Sequence, residues 1–194
     1  MRRGGARGPG FGASVVISAV ATVLLLIAIT GARRPVQLET RGAPPWPAPA
    51  PRAAAAGIHA AGLTVSGTGF VVTRYAVHLD VLVAGQVVRV PAGIGRGAPL
   101  GTSDESGIVH VASDGQAPVF TLGQFFDEWQ VDLSASRLGG LRRGTVAAYV
   151  NGVRFDGDPG TVVLAPHLQI AVSYAPAGGS PVPGPASYVF PAGM

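Results

Sequence analysis

Cysteine is absent from the 194-residue chain. Its absence excludes disulfides, zinc–thiolate sites, iron–sulfur ligation and a cysteine nucleophile. Lysine is absent too, so Arg supplies all 14 basic charges and a lysine nucleophile is excluded. Charged residues make up only 12% of the chain, whereas Gly and Pro contribute 29 and 17 residues. This composition is atypical of a mostly helical protein and favours strands, turns and irregular segments.

The formal net charge of +4 is concentrated at the N-terminus. Residues 1–34 hold five Arg and no acidic residue, whereas the rest of the chain has nine Arg against ten Asp and Glu. Nucleic-acid binding requires a basic surface. Beyond the N-terminus, the only local basic cluster is Arg137, Arg142 and Arg143. We therefore expect no nucleic acid among the partners of this protein.

An apolar segment without any charged residue extends from Gly8 to Ala32. A helix of about 20 apolar residues is long enough to cross the hydrocarbon core of a membrane. The sequence therefore predicts a transmembrane helix over residues 11–31, preceded by a cytoplasmic N-terminus over residues 1–10. A cleaved signal peptide is the alternative, but its apolar core is usually shorter and ends in a small-residue cleavage site. The positive-inside rule and the three Arg before the segment place the following residues outside the cytoplasm.

Proline-rich segments flank the rest of the chain. Residues 32–62 contain the nearly alternating run Pro44–Pro51, which predicts a semi-rigid polyproline spacer between membrane and domain. A ligand for an SH3-type groove is the alternative for this run. Residues 175–194 have a similar composition and are predicted to form a disordered tail. Residues 63–174 remain as the predicted extracytoplasmic domain.

Apolar residues alternate along several segments of this domain, which is typical of strands. Ala84-Gly85 connects two of them, and Asn151-Gly152 favours a hairpin because both residues tolerate the positive φ angles of a type I′ turn. The strands are expected at Tyr75–Val83, Val87–Val90, Ile108–Ala112, Pro118–Thr121, Thr145–Val150, Val153–Phe155 and Leu168–Tyr174.

One helix is predicted over Leu122–Trp129. Thr121 and Gln124 have the spacing of a capping box, and apolar residues recur at helical intervals. Asp127 and Glu128 are expected to face solvent. A single helix packed on such strands predicts an α+β fold: a small, mostly-β domain of the β-grasp type, preceded by one transmembrane helix and a Pro-rich linker.

Three groups of motifs between Val77 and Tyr174 resemble an uncharacterised family of exported or membrane-anchored proteins from high-GC bacteria. The motifs are Val90-Pro91-Ala92-Gly93-Ile94-Gly95; Asp104-Glu105-Ser106-Gly107-Ile108-Val109-His110-Val111 with Phe120–Trp129; and Tyr149-Val150-Asn151-Gly152 with Gly157-Asp158-Pro159 and Leu164–Ile170. The resemblance implies an exported domain of this size and no established activity.

In the family pattern, a His-Thr-His-Asp element precedes the Ser-Gly turn and suggests metal binding. This chain has Gly101-Thr102-Ser103-Asp104 instead, so both of these histidines are missing. A metal site would then have to be built from His78, Asp80, Asp104 and His110, of which the first two share one face of a strand. This metal-handling interpretation is the alternative function, and tight binding of a transition metal is not expected from so few strong ligands.

Catalysis has no clear basis in the sequence. No Ser lies in a Gly-x-Ser-x-Gly motif, and the adjacent Asp127 and Glu128 point away from each other on a helix. Asp156 and Asp158 flank Gly157 in a predicted turn. We therefore expect no catalytic residue and no cofactor. The sequence favours a single-pass membrane protein of a bacterial envelope with a binding or structural role, whose partner is unknown.

Overall fold

The computed structural model describes residues 42–64, 71, 73–114 and 119–194. Within these ranges the chain forms a mixed α/β domain with mostly strands and two α-helices, which agrees with the predicted α+β class. Its elements in chain order are α1 (Pro51–Ala60), β1 (Thr73–Val83), β2 (Gln86–Val88), β3 (Leu100–Gly101), β4 (Ile108–Ser113), α2 (Leu122–Trp129), β5 (Leu133–Ser134), β6 (Arg137–Leu138), β7 (Gly144–Val150), β8 (Val153–Arg154), a 3-10 turn (Pro159–Thr161) and β9 (Gln169–Pro176).

Strand β1 is central to the main sheet. It pairs in parallel with β9 and antiparallel with β4 and β2, and β9 pairs antiparallel with β7. The strand order is β3-β4-β1-β9-β7-β8, with β2 attached to β1. Strands β5 and β6 form a separate two-stranded ladder. The parallel pair requires a crossover connection, and β4, α2 and β7 lie within it.

The predicted hairpin turns are confirmed. Asn151 and Gly152 have φ angles of 50° and 79°, and Ala84 and Gly85 have φ angles of 50° and 79° as well. A type I′ turn requires positive φ at both central residues. The Asn-Gly turn connects β7 to β8, and the Ala-Gly turn connects β1 to β2.

The predicted strand at Pro118–Thr121 is wrong for its described residues. Thr121 forms only one isolated bridge, with Val163. Its side chain accepts a hydrogen bond from the Gln124 amide, and the Gln124 side chain accepts one from the Thr121 amide. Thr121 therefore begins helix α2 through the predicted capping box.

The main core lies between the inner face of the sheet and the two helices. Phe125, Phe126 and Trp129 of α2 are fully buried, as the aromatic stripe predicts. They pack with alternate residues of the central strands, which include Val77, Leu79, Val81, Ile170 and Val172. The period of two along the strands thus matches the period of the helix across one apolar layer.

The predicted spacer is wrong over residues 42–62, which belong to the domain. Residues 51–60 form α1, in which Pro51 occupies the first turn, where a missing amide hydrogen costs nothing. Trp46 is only 2% exposed and lies edge-on to Trp129, with ring centroids 6.0 Å apart. The Trp129 indole donates to the Trp46 carbonyl at 3.1 Å. A buried aromatic residue and an Ala-rich helix therefore make this proline-rich segment part of the domain. The rest of the predicted spacer, residues 32–41, lies outside the described residues.

The predicted disorder of residues 175–194 is also wrong. Ala175 and Pro176 end β9, and residues 177–194, here named the tail, have no helix or strand but lie against the sheet. The Tyr149 hydroxyl donates to the Pro181 carbonyl at 3.0 Å, and the Tyr188 ring stacks on the ring of His78. A Pro-rich segment can be ordered when side chains of a folded surface hold it.

The predicted transmembrane segment over residues 11–31 lies outside the described residues, as does the cytoplasmic N-terminus over residues 1–10. Among the described residues, no helix has both the length and the apolar character required to span a bilayer.

Candidate functional site

The outer face of the sheet, opposite the two helices, carries a buried polar network centred on His78. The His78 Nδ1 atom lies 2.8 Å from Gln169 Oε1, and the Gln169 amide nitrogen donates to Asp80 Oδ2 at 2.8 Å. His78 and Gln169 are 6% and 1% exposed. The Asp80 carboxylate is 3.7 Å from the imidazole. An amide thus connects a buried imidazole to a carboxylate.

Strand pairing places these residues together. His78 lies opposite Gln169 in the parallel pair of β1 and β9, and Asp80 follows two positions along the same face of β1. The Asn151 side-chain oxygen accepts a hydrogen bond from the backbone amide of Gln169 at 3.0 Å. The backbone amide of Asn151 donates to the backbone carbonyl of Gln169 at 2.7 Å. The Asn-Gly turn therefore also fixes the first residue of β9.

The Asp104–Gly107 turn holds the other side of the imidazole. The His78 Nε2 atom lies 2.8 Å from the Ser106 carbonyl oxygen. A β-carbon at Gly107 would lie 2.7 Å from the Leu79 carbonyl and 3.0 Å from His78 Nε2, so only glycine permits this approach. Hydrogen bonds from the Ser106 hydroxyl and amide to Asp104 lower the pKa of this exposed carboxyl. The Asp-Glu-Ser-Gly motif therefore positions His78.

The structure brings the four candidate metal ligands only partly together. His110 lies opposite Ala76 in the β1–β4 pair, on the same sheet face as His78. Its Nε2 atom contacts the Ser103 hydroxyl at 3.0 Å, and Asp104 contacts Ser106 instead. Both ring nitrogens of His78 lie 2.8 Å from acceptor oxygens, so neither nitrogen is directed toward His110 or a carboxylate. Within the described ranges, no three His, Cys, Asp or Glu residues are placed to hold one metal ion.

The tail covers this network with an aromatic ring. The Tyr188 ring is nearly parallel to the His78 ring, with centroids 3.7 Å apart and an interplanar angle of 9°. Phe190 meets Tyr188 edge-on and also lies 5.1 Å from the ring of His167. The His167 Nε2 atom contacts the Met194 carbonyl at 2.6 Å. The outer face therefore binds aromatic side chains at the end where β9 begins.

A second unusual group is the carboxyl of Glu128, at the C-terminal end of α2. The residue is 1% exposed, and neither carboxyl oxygen has a hydrogen-bond partner among the described residues. A β-carbon at Gly95 would lie 2.2 Å from Glu128 Oε2 and 1.8 Å from the Leu100 carbonyl oxygen. Glu128 Oε2 and the Leu100 carbonyl oxygen therefore converge beside Gly95. Burial raises the pKa of Glu128 to about 8, so the neutral acid is the form that this site favours.

A cleft of about 380 Å³ lies near the glycine-rich loop that follows β2. Its lining is mostly small and apolar, and Arg96 is its one charged residue. The lining residues are Ala48, Pro49, Pro51, Ala54, Ala92, Gly93 and Arg96. Glu128 does not line this cleft, so the buried acid and the arginine form two separate features.

Three residues of these sites were not predicted from the sequence. Gln169 lies within the Leu164–Ile170 motif, but its partners Asn151 and His78 are 18 and 91 residues away in sequence, so the motif gave no sign of these contacts. Tyr188 was assigned to a disordered tail. Glu128 was expected in solvent, but its carboxyl is buried beside Gly95 and the Leu100 carbonyl, which belong to segments distant in sequence.

Comparisons of this chain with protein-family models, with curated proteins and with solved structures found no match.

Proposed function

We propose that this chain is a single-pass membrane protein of a bacterial envelope, whose extracytoplasmic domain has a binding or structural role. The observation that carries the proposal is the apolar segment over residues 11–31, which is free of charge and has Arg on both sides. Its length matches the hydrocarbon core of a bilayer. The resemblance to exported proteins of high-GC bacteria supports the same location.

The domain that follows is, in this proposal, of the β-grasp type. The supporting observation is the order of its main strands: β4-β1-β9-β7-β8, with β1 and β9 parallel at the centre. Helix α2 connects the antiparallel pair of β1 and β4 to the later strands, and it covers one face of the sheet. The opposite face carries no helix and holds the tail of the chain by side-chain contacts, which suits a binding domain.

Binding rather than catalysis is favoured by the chemistry of the outer face. The imidazole of His78 is held between Gln169 and the Ser106 carbonyl, and no free nitrogen is left to act as a base. The same arrangement disfavours the alternative of a metal-handling protein through His78, Asp80, Asp104 and His110. The Asp132 carboxylate lies 3.7 Å from the Arg137 guanidinium and 3.8 Å from that of Arg142. Because this carboxylate partly neutralises the basic cluster, nucleic acid is disfavoured as a partner.

Cell fractionation combined with the mass of the mature N-terminus tests the proposal. We expect an intact chain in the membrane fraction, with the domain accessible to protease added from the outside. The matched control replaces Leu24, Leu25 and Leu26 by Arg, because charges at the centre of a spanning helix oppose insertion. A soluble wild-type product beginning near Arg33 would contradict the anchor, and protection of the domain from external protease would contradict its orientation.

A further inference from the structure

The tail runs antiparallel to β9 along the outer face of the sheet. The Val182 amide donates to the Ser173 hydroxyl at 3.0 Å, near the end of β9. Further along the tail, a β-carbon at Gly184 would lie 2.4 Å from the Ala171 β-carbon. Tyr188 then reaches His78, the partner of the first residue of β9. Successive tail residues thus follow β9 from its end to its beginning.

The tail binds by side-chain contacts that suit an extended proline-rich peptide. Prolines at positions 181, 183, 185 and 191 donate no amide hydrogens, so this segment is poorly suited to be a sheet strand. Instead, the Tyr149 hydroxyl donates to the Pro181 carbonyl at 3.0 Å, and Ser173 accepts from Val182. Polar side chains of the sheet therefore recognise the peptide backbone directly.

The surface below the tail has two distinct parts. Leu82, Ala147, Tyr149 and Ala171 form a buried apolar cluster separate from the main core, and Gly184 packs against it. Beyond it lies the aromatic site on His78, which is fixed by its hydrogen bonds on both edges. A small apolar floor next to a rigid ring selects a Pro- and Gly-containing segment with a tyrosine a few residues later. We name this surface the outer groove.

The connection between β9 and the tail has the features of a hinge. Gly178 has a φ of 84°, is exposed, and would meet nothing within 4 Å if it carried a β-carbon. Gly179 follows it, is exposed as well, and donates to the Pro176 carbonyl at 2.9 Å within the same turn. Glycines that make few contacts give the backbone freedom to change direction. This turn is therefore where the direction of the tail can change relative to β9.

We propose that the outer groove is a peptide-binding site and that its occupant in trans is the tail of a second copy of this chain. The inference builds on the binding role proposed above and names its partner. Exchange of an identical segment between copies needs no new complementarity, because each groove already fits the tail. Anchoring in one membrane raises the effective concentration of the second tail. The intramolecular tail acts as a competitor.

A labelled peptide of residues 180–194, titrated onto the full chain in detergent, tests the groove. The variant Tyr188→Ala weakens the attached tail, so we expect it to bind the wild-type peptide about two- to tenfold more tightly than the unmodified chain does, since an aromatic contact contributes about that much. The matched control is Val189→Ala, because Val189 is 90% exposed and adjacent; its affinity for the peptide should equal that of the unmodified chain. A peptide carrying Tyr188→Ala should bind several-fold less tightly.

Equal peptide affinity for Tyr188→Ala and the unmodified chain would overturn the proposal. Loss of cooperative unfolding in Tyr188→Ala would overturn it as well, because the tail would then be an inseparable part of the fold. The second copy is tested by co-purification of two differently tagged full chains, which the wild-type peptide should compete away and the Tyr188→Ala peptide should not. Failure to co-purify overturns the assignment of the partner. Cleavage of the anchor in cells would instead refute only the localisation, because the peptide affinities do not depend on it.

Discussion

Glu128→Gln is the most informative single substitution, because it removes the charge of a buried acid while keeping the size of the side chain. Both oxygens of the wild-type carboxyl are buried without a partner, and the residue forms no ion pair among the described residues. Burial raises its pKa from the ordinary 4.5 to about 8. The folded protein therefore binds this proton more tightly than the unfolded chain does.

The sign of the pH effect follows from this difference in proton binding. Between about pH 4.5 and 8 the folded state holds a proton that the unfolded state has released, so the free energy of unfolding decreases as pH rises. Each pH unit costs about 1.4 kcal/mol, which sums to a loss on the order of 4 kcal/mol by pH 8. The Glu128→Gln variant lacks this loss and should become increasingly more stable than wild type across that range.

Urea denaturation at several pH values between 5 and 9, followed by tryptophan fluorescence, measures the effect. The chain has only Trp46 and Trp129, and both are buried in the main core, so the signal reports unfolding of the domain. Burial and the nearby Asp132 also raise the pKa of Asp127, but this contribution is common to both proteins and cancels in the difference. Glu105→Gln at an exposed surface pair is the matched control. Parallel pH profiles for wild type and Glu128→Gln would refute the reasoning.

Three further outcomes are expected. Trp46→Ala should lower the free energy of unfolding by about 3–5 kcal/mol, because Trp46 fills the core beside Trp129; an unchanged urea midpoint would restore the spacer interpretation. Gly57→Ala should destabilise by about 1–3 kcal/mol despite its better helix propensity, because the new β-carbon would lie 2.8 Å from the Glu128 carbonyl; a rise in the midpoint would show that the two helices separate easily. Calorimetric titration with Zn²⁺ and Cu²⁺ should show no submicromolar binding, and binding that His110→Ala abolishes would favour the metal-handling alternative.

The local patterns predicted elements well where one short-range interaction decides the backbone. The capping box of Thr121 and Gln124 and the Asn151-Gly152 turn both occur where the spacing placed them. The alternating residues of β1 also indicated the core face correctly. These signals survive because the side chains concerned contact the backbone within a few residues, or because burial on one face repeats along the strand.

Predictions from composition were wrong at both ends of the domain, and the physical reason is the same at each end. Proline-rich sequence was taken as a sign of extended or disordered chain, but Trp46 provides enough apolar surface to hold residues 42–62 on the core. In the tail, Tyr188 and the Pro181 carbonyl find partners on the sheet. Average composition does not reveal such partners, because they are far away in sequence.

The buried network around His78 could not be predicted from the sequence motifs, although residues of these motifs form part of it. His78 was considered a metal ligand because its type and strand position permit coordination. Its actual partners, Gln169 and the Ser106 carbonyl, come from a strand and a turn distant in sequence, 91 and 28 residues away. The Asp-Glu-Ser-Gly and Asn-Gly motifs act on His78 indirectly, since one presents a carbonyl and the other fixes Gln169.

The two proline-rich segments cover different surfaces of the domain. Helix α1 covers the flank of α2 on the core side, and the tail covers the apolar cluster and His78 on the opposite side of the sheet. Removing residues 42–62 would expose Trp129, whereas removing the tail would expose His78 and the apolar cluster. The first loss weakens the core itself, and the second opens the outer groove. A fragment that retains both covers therefore contains residues 42–194 and not only residues 63–174.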